Sequence, residues 1–492
     1  MKKLIVLFIL FLIAVILFSC ADTDSQQSET IDGTVTEKDV PENETEEPAT
    51  EKLMPDLPEI NFGNIDFTFL STCNWESSYL AFPLVFVEEL NGEIVNDAVF
   101  MRNIKIGEQY GVNIKEIDRT GQSGAGWDII SRGVAAGDTT YDAAFIGTHD
   151  VCKLASEGYL HDLFGVLYID LDKPWWDARA KRDLSIANKM YFTNGDINLW
   201  NNECTFTILF NKKLIKESEL ESPYELVKNH KWTIDKFYEM SKAATKDLNG
   251  DGVIDVEDQI GLLMWQNAIH GINVSSGGKI ATVIDGKIEL TLYNETTVAA
   301  VSKFTDIMSD RTASINMYTS GGNDLATQKF TSDEGLFFTQ YIRTVSVLRD
   351  METDFGILPY PKLNESQKDY YTNVHDHGNT FLCIPQTAAD LNMSGIILEA
   401  LAAESMHSVK PAYYDVTLTG KFFRDDESKE MLDILFSTRS YDIGLYYQFG
   451  DYTTTFYTMI NNLDTDFISV YERTENKARE QIEKINQLFQ SR

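Results

Sequence analysis

The early part of the chain alternates strand-like with helix-like stretches, and that alternation limits the folds open to it. Residues 65–70 read as an apolar-rich strand, 98–110 as a helix, 112–117 as a second strand, 128–136 as a helical stretch and 141–147 as a third strand. Strands separated by helical segments of about 10–15 residues predict parallel βαβ units, whose ligands bind beyond the carboxyl ends of the strands. The loops Asn74-Trp75-Glu76 and Thr148-His149-Asp150 follow two such ends. Further strands are expected at 205–210, 335–338 and 355–359, and helices at 214–216, 224–228, 233–245, 427–438 and 474–489. No short-period repeat is visible, which disfavours solenoids and propellers. The fold class is α/β.

A length of 492 residues suggests two or three globular units. The 76 acidic residues outnumber the 42 Lys and Arg, for a net charge of −34, and no local basic patch interrupts that balance. A polyanion is held by cations that displace its counterions, so nucleic acid is not an expected partner.

The start of the chain gives an address. Met1-Lys2-Lys3 precedes an almost unbroken apolar run over residues 4–18, which ends in Ser19-Cys20. The run is shorter than the ~20 residues of a spanning helix and matches the core of a signal peptide. A small residue before Cys resembles the bacterial lipobox, which implies removal of residues 1–19 and lipid on Cys20, tethering the chain to the outer face of the cell membrane. Residues 21–51 hold eleven acids and the single base Lys38, too polar to bury a core, so 20–58 is expected to be a solvated tether. The remaining Cys73, Cys152, Cys204 and Cys383 are too widely spaced for metal knuckles; one or two disulfides are possible, and buried free thiols are the commoner arrangement.

The sharpest local motif is the twelve-residue stretch 247–258. Asp247, Asn249, Asp251, Asp255 and Asp258 place oxygens at loop positions 1, 3, 5, 9 and 12, with Gly252 at 6 and the Val253 carbonyl at 7. This spacing wraps hard oxygen donors around one point and predicts a structural Ca²⁺ site, with Asp258 in place of the usual Glu. Catalytic signatures are scarce: GxSxG, HExxH, the Walker loop and GxGxxG are all missing from the sequence. His375-Asp376-His377 offers two imidazoles, but its sequence neighbourhood holds no third ligand, so it reads as a polar loop. Aromatic residues beside amides, carboxylates or Arg recur at Trp75, at Trp200 to Glu203, at Trp265-Gln266-Asn267 with His270, and at Gln340-Tyr341 with Arg343. Sugars present apolar faces ringed by hydroxyls, and such clusters suit them.

Taken with Tyr141-Asp142-Ala143-Ala144, Asp172 to Asp177, Tyr191 to Asp196, Phe210 to Leu214, Phe355 to Pro359 and Gly378-Asn379-Thr380 before Ile384-Pro385, the chain resembles the family 1 extracellular solute-binding proteins, lipid-anchored carbohydrate receptors of bacterial ABC importers. The resemblance implies a type II periplasmic-binding-protein-like fold, with two α/β lobes around a central ligand cleft. It implies lobes of 59–203 with 336–383 and of 204–335 with 384–492, crossings near 201–205, 334–338 and 381–385, and a monomer that docks on ABC permease subunits. It further implies ligand contacts from Asn74, Trp75, His149, Asp150, Glu203, Trp265, Asn267 and Tyr341, to which the clusters above add Glu76, His270 and Arg343. The expected activity is capture of a sugar or oligosaccharide without chemistry. The alternatives are a surface-anchored polysaccharide-degrading enzyme, whose paired carboxylates sequence cannot locate, and a receptor for a peptide or polyamine.

Overall fold

The structure is a computed structural model that describes residues 52–73, 82–121, 124–422 and 425–492. The signal segment, Cys20, the tether as far as Glu51, and Asn74, Trp75 and Glu76 lie outside the described residues. No helix among the described residues is long and apolar enough to cross a membrane.

Two sheets organise the chain. Their strands are β1 (Ile65–Ser71), β2 (Val112–Asp118), β3 (Ala143–Gly147), β4 (Phe206–Asn211), β5 (Ile260–Met264), β6 (Ser314–Asn316), β7 (Gly335–Tyr341), β8 (Phe355–Leu358) and β9 (Thr380–Cys383). The first sheet has the order β9-β3-β1-β2 and the second β8-β4-β7-β5-β6. The helices that matter below are α1 (Ile94–Tyr110), α2 (Ala125–Ala136), α3 (Thr148–Glu157), α4 (Leu199–Glu203), α5 (Ile234–Ala244), α6 (Ala268–Ser275), α7 (Leu391–His407), α8 (Asp426–Ser437) and α9 (Phe467–Gln490).

The expected βαβ units are present. β1 pairs in parallel with both β2 and β3, and its Phe69 ring stacks on Phe145 at 5.7 Å. Gly111, at φ 64°, closes α1 and turns the chain straight into β2, a left-handed conformation that suits glycine. α5 is capped by the Thr233 side chain, which accepts from Lys236 N, and it packs on β5 through Gly261, where a Cβ would lie 1.8 Å from the Ser241 carbonyl oxygen. Trp232, Phe237 and Phe337 form an aromatic core beneath the second sheet.

Strand pairing redraws the boundaries expected for the two lobes. β7 pairs on both sides, with β4 and β5, and β8 returns antiparallel to β4, so residues 335–358 belong to the second sheet and 334–338 is no crossing. The chain returns to the first sheet between Val374 and Asn379, just before β9, rather than at 381–385. Residues after β9 do not go directly to the second lobe either. α7 packs on α1, where Arg102 Nη1 donates to Ser405 Oγ at 3.0 Å and Lys105 pairs with Glu404, and Ser394 Oγ donates to the Asp142 carbonyl at 2.9 Å. Only after the π-helical segment Ala412–Phe422 does α8 pack on β8. The tether also ends sooner than residue 58: Leu57 packs against the core, and the Leu53 carbonyl lies 2.8 Å from His407 Nε2. Apolar residues that find a surface to cover are drawn onto it, whatever the charge of the segment before them.

α7 also carries Glu399, buried against Trp175 and Trp176. Trp175 Nε1 donates to Glu399 Oε1 at 3.0 Å, Trp176 Nε1 donates to Oε2 at 2.8 Å, and Asp170 N donates to Oε2 at 3.3 Å. Burial pushes this carboxyl up to about 7 against the pull of those donors. The four cysteines Cys73, Cys152, Cys204 and Cys383 are all free and buried.

Candidate functional site

The carboxyl edges of the two sheets are held together at one place. In the first sheet, β1 and β3 run in parallel, and antiparallel β9 sets Thr380 opposite Gly147, so residues 374–379 pass along the carboxyl end of β3. In the second, β5 and β7 run in parallel, and antiparallel β4 sets Phe206 opposite Tyr341, so Cys204 and Thr205 lie beside the carboxyl end of β7. These two crossing segments pair with each other. Thr205 bridges Val374, His375 N donates to the Cys204 carbonyl at 2.9 Å, Ile342 N donates to the Thr205 carbonyl at 3.0 Å, and Arg343 N donates to the Glu203 carbonyl at 3.1 Å. The carboxyl ends of parallel strands are where open α/β sheets bind ligands.

Side chains from both sheets meet at His375. Its Nδ1 accepts from His377 N and Gly378 N at 3.0 and 3.1 Å, and burial lowers its imidazole to about 3. A neutral ring whose Nδ1 accepts twice carries its proton on Nε2, which lies 3.3 Å from the Asn267 amide. That amide also contacts the Tyr341 hydroxyl, and it serves both groups best with its oxygen on their side. The Tyr341 ring stands edge-on to His375 at 4.7 Å and to Phe206 at 5.0 Å.

Trp265, next after β5, is half-buried and meets Tyr318 edge-on at 5.4 Å. Amides line the same edge: Asn461 Nδ2 donates to Gln266 Oε1 at 2.6 Å, Asn316 Nδ2 donates to Asn461 Oδ1 at 2.9 Å, and Gln340 Nε2 donates to Asn323 Oδ1 at 2.9 Å. Aromatic faces next to a network of amides offer both an apolar surface and paired donors and acceptors.

The residues singled out from sequence are thus partly gathered and partly dispersed. His149 lies in the first turn of α3 at the carboxyl end of β3, while Trp265, Asn267 and Tyr341 lie at the carboxyl edge of the second sheet. Asp150 Oδ2 accepts from Trp127 N at 3.2 Å, and Asp150 lines a groove of about 510 Å³ together with His149, Tyr447 and Phe449. His270 sits inside α6, buried edge-on between Phe456 and Tyr457, and burial lowers its imidazole to about 4. Glu203 and Arg343 are buried parts of the crossing itself. Trp200 is core, its Nε1 donating to the Phe82 carbonyl at 2.8 Å. Sequence reasoning missed Tyr318, Asn316 and Asn461, which carry no motif and reach the edge only through the fold.

The loop 247–258 folds around its own carboxylates. Asp247 accepts from Gly250 N and Gly252 N, Asp251 from Val253 N and Asp255 from Glu257 N, while the two oxygens of Asp258 accept from Leu248 N and Asp255 N. Gly250 and Gly252 take φ 76° and 80°. Among the described residues, the one set of three His, Cys, Asp or Glu donor atoms lying within 4.8 Å of one another is elsewhere, at His149, Asp376 and His377.

A sequence profile of bacterial extracellular solute-binding proteins matches residues 102–338. Over that stretch the chain is similar to this family. Among curated proteins the sequence finds no match. Solved structures resemble the fold across most of the chain. The ABC substrate-binding protein Lmo0181 from Listeria monocytogenes, in complex with cycloalternan, aligns at TM-score 0.53 and 13% identity over 86% of this chain and 98% of its own. The cyclic alpha-maltosyl-1,6-maltose binding protein from Arthrobacter globiformis aligns at 0.54 and 14%, over 87% and 100%. The GacH receptor of Streptomyces glaucescens, solved unliganded and with acarbose, aligns at 0.52 and 12%, over 87% and 98%. The architecture is that of type II periplasmic-binding-protein-like receptors, as the sequence resemblance implied.

Proposed function

We propose that this solute-binding protein captures a sugar or oligosaccharide between the carboxyl edges of its two sheets and delivers it, unchanged, to an ABC transporter permease. The observation that carries the reading is the convergence of both edges on Asn267, Tyr341 and His375, flanked by the Trp265–Tyr318 pair and its amides. Likeness to receptors solved with cycloalternan and acarbose supports the same solute class. The aromatics cover apolar sugar faces, the amides pair with hydroxyls, and closure of the lobes encloses the solute. Lipid on Cys20 would keep the receptor, a monomer, at the outer membrane surface, and Ca²⁺ in the 247–258 loop would brace α5 against β5. The loop's oxygen-rich side chains and its two glycine turns fit such a cation.

Isothermal titration of the purified protein against mono- and oligosaccharides, run beside a reducing-end assay, tests the reading. Saturable 1:1 binding with no new reducing ends is expected. Absence of binding across the panel, or turnover of a polysaccharide, would overturn it.

A further inference from the structure

Asp376 is a buried carboxylate with an unusual environment. Three histidine nitrogens surround it: His149 Nε2 lies 3.4 Å from Oδ2, His377 Nε2 lies 3.8 Å from the same oxygen, and His375 Nδ1 lies 3.8 Å from Oδ1. The first two contacts lack hydrogen-bond geometry, and both Asp376 Oδ2 and His149 Nε2 are buried without a hydrogen-bond partner. Three imidazoles thus crowd one buried carboxylate, and among the described residues no lysine or arginine is paired with it.

We propose that His149, Asp376 and His377 form a binding site for a divalent transition-metal cation of the Zn²⁺ class. The three donor atoms lie within 4.8 Å of one another. In a tetrahedral site with bonds of about 2.0–2.1 Å, neighbouring ligand atoms stand about 3.3 Å apart. The separations of 3.4 and 3.8 Å around Asp376 Oδ2 approach that edge length before any cation draws them in. Two imidazoles and one carboxylate are a donor set for Zn²⁺ and its neighbours, with at least one position left for water or another ligand. The ligands come from two places that only the fold joins: the first turn of α3, and the crossing segment before β9. A bound cation would neutralise Asp376 and cross-link the carboxyl end of β3 to the crossing, whatever solute the protein carries.

Tag-free protein, stripped with chelator and dialysed, is titrated with Zn²⁺ by calorimetry and with Co²⁺ by visible absorption, in excess Ca²⁺ so that the 247–258 loop does not contribute. One Zn²⁺ per chain and a Co²⁺ spectrum with a nitrogen–oxygen ligand field are expected. H149A and H377A should each weaken Zn²⁺ binding at least about a hundredfold, beyond the 10–100-fold that loss of an outer-shell partner costs. D376N, near-isosteric and checked for folding by circular dichroism, should do the same. No Zn²⁺ binding at micromolar protein, or equal binding by wild type and the H149A/H377A double variant, would overturn the proposal. Sugar affinity is measured on the same samples without metal, so loss of one activity is not mistaken for loss of the other.

Discussion

Replacing Glu399 with Gln should change how stability depends on pH rather than stability alone. In the folded chain this carboxyl sits at about 7, against an ordinary 4.5, because burial on α7 outweighs the donors from Trp175, Trp176 and Asp170. Below pH 4.5 folded and unfolded chains both hold the proton, and burial of the charge costs nothing. Between 4.5 and about 7 the folded chain keeps a proton that the unfolded chain has released, so stability falls as pH rises. Above about 7 the loss is complete, and the full difference corresponds to about 3 kcal/mol. Glu116, also pushed up to about 7, and Asp442, pushed up to about 6, add the same trend, but they are common to wild type and variant. The difference between E399Q and wild type in urea unfolding free energy, measured at pH 5 and pH 8, isolates Glu399. Gln carries no charge at either pH, although its NH₂ faces a tryptophan N–H and costs a constant amount. The variant should therefore gain about 2–3 kcal/mol on wild type between pH 5 and pH 8. A difference that does not move with pH would refute the claim that this carboxylate is a buried, costly charge.

Trp265→Ala should weaken sugar binding about tenfold or more in calorimetry while leaving the melting temperature nearly unchanged, since the ring is only half-buried. After chelator treatment, added Ca²⁺ should raise the melting temperature of wild type in differential scanning fluorimetry but not that of D247A, because only an occupied loop gains from the cation. Gly261→Ala should destabilise by about 3 kcal/mol or more, read by urea unfolding, because its methyl would lie 1.8 Å from the Ser241 carbonyl oxygen and both partners are backbone-fixed.

The three parallel strands of the first sheet were legible because alternation with helices shows in any short window, whereas antiparallel β9 was read only as a crossing. β1, β2 and β3 fall within a residue or two of their expected spans. α7 was not legible. It is buried on nearly every side, so its apolar residues run without helical periodicity and give no face to read. The second crossing was misplaced because Leu336, Phe337 and Phe338 read equally well as a strand of either lobe, and only pairing with β4 and β5 decides. The site follows the same divide. Trp265 and Tyr341 announce themselves by type, whereas the third imidazole beside Asp376 and His377 is His149, more than two hundred residues earlier in the chain. Conversely Trp175 and Trp176, part of the motif that carried the family resemblance, hold Glu399 and α7 in place and are buried.

Four thiols that are free yet buried also make this protein easy to watch. Burial pushes the Cys152, Cys204 and Cys383 thiols well up, so little nucleophilic thiolate is available at neutral pH, and Cys73 is shielded by the Gly378 carbonyl at 3.5 Å. A single cysteine introduced on the surface of a protein begun at Lys52 would thus take a maleimide dye alone. The native background needs no removal, and a fluorophore at the carboxyl edge of either sheet would test directly whether the proposed closure on a solute takes place.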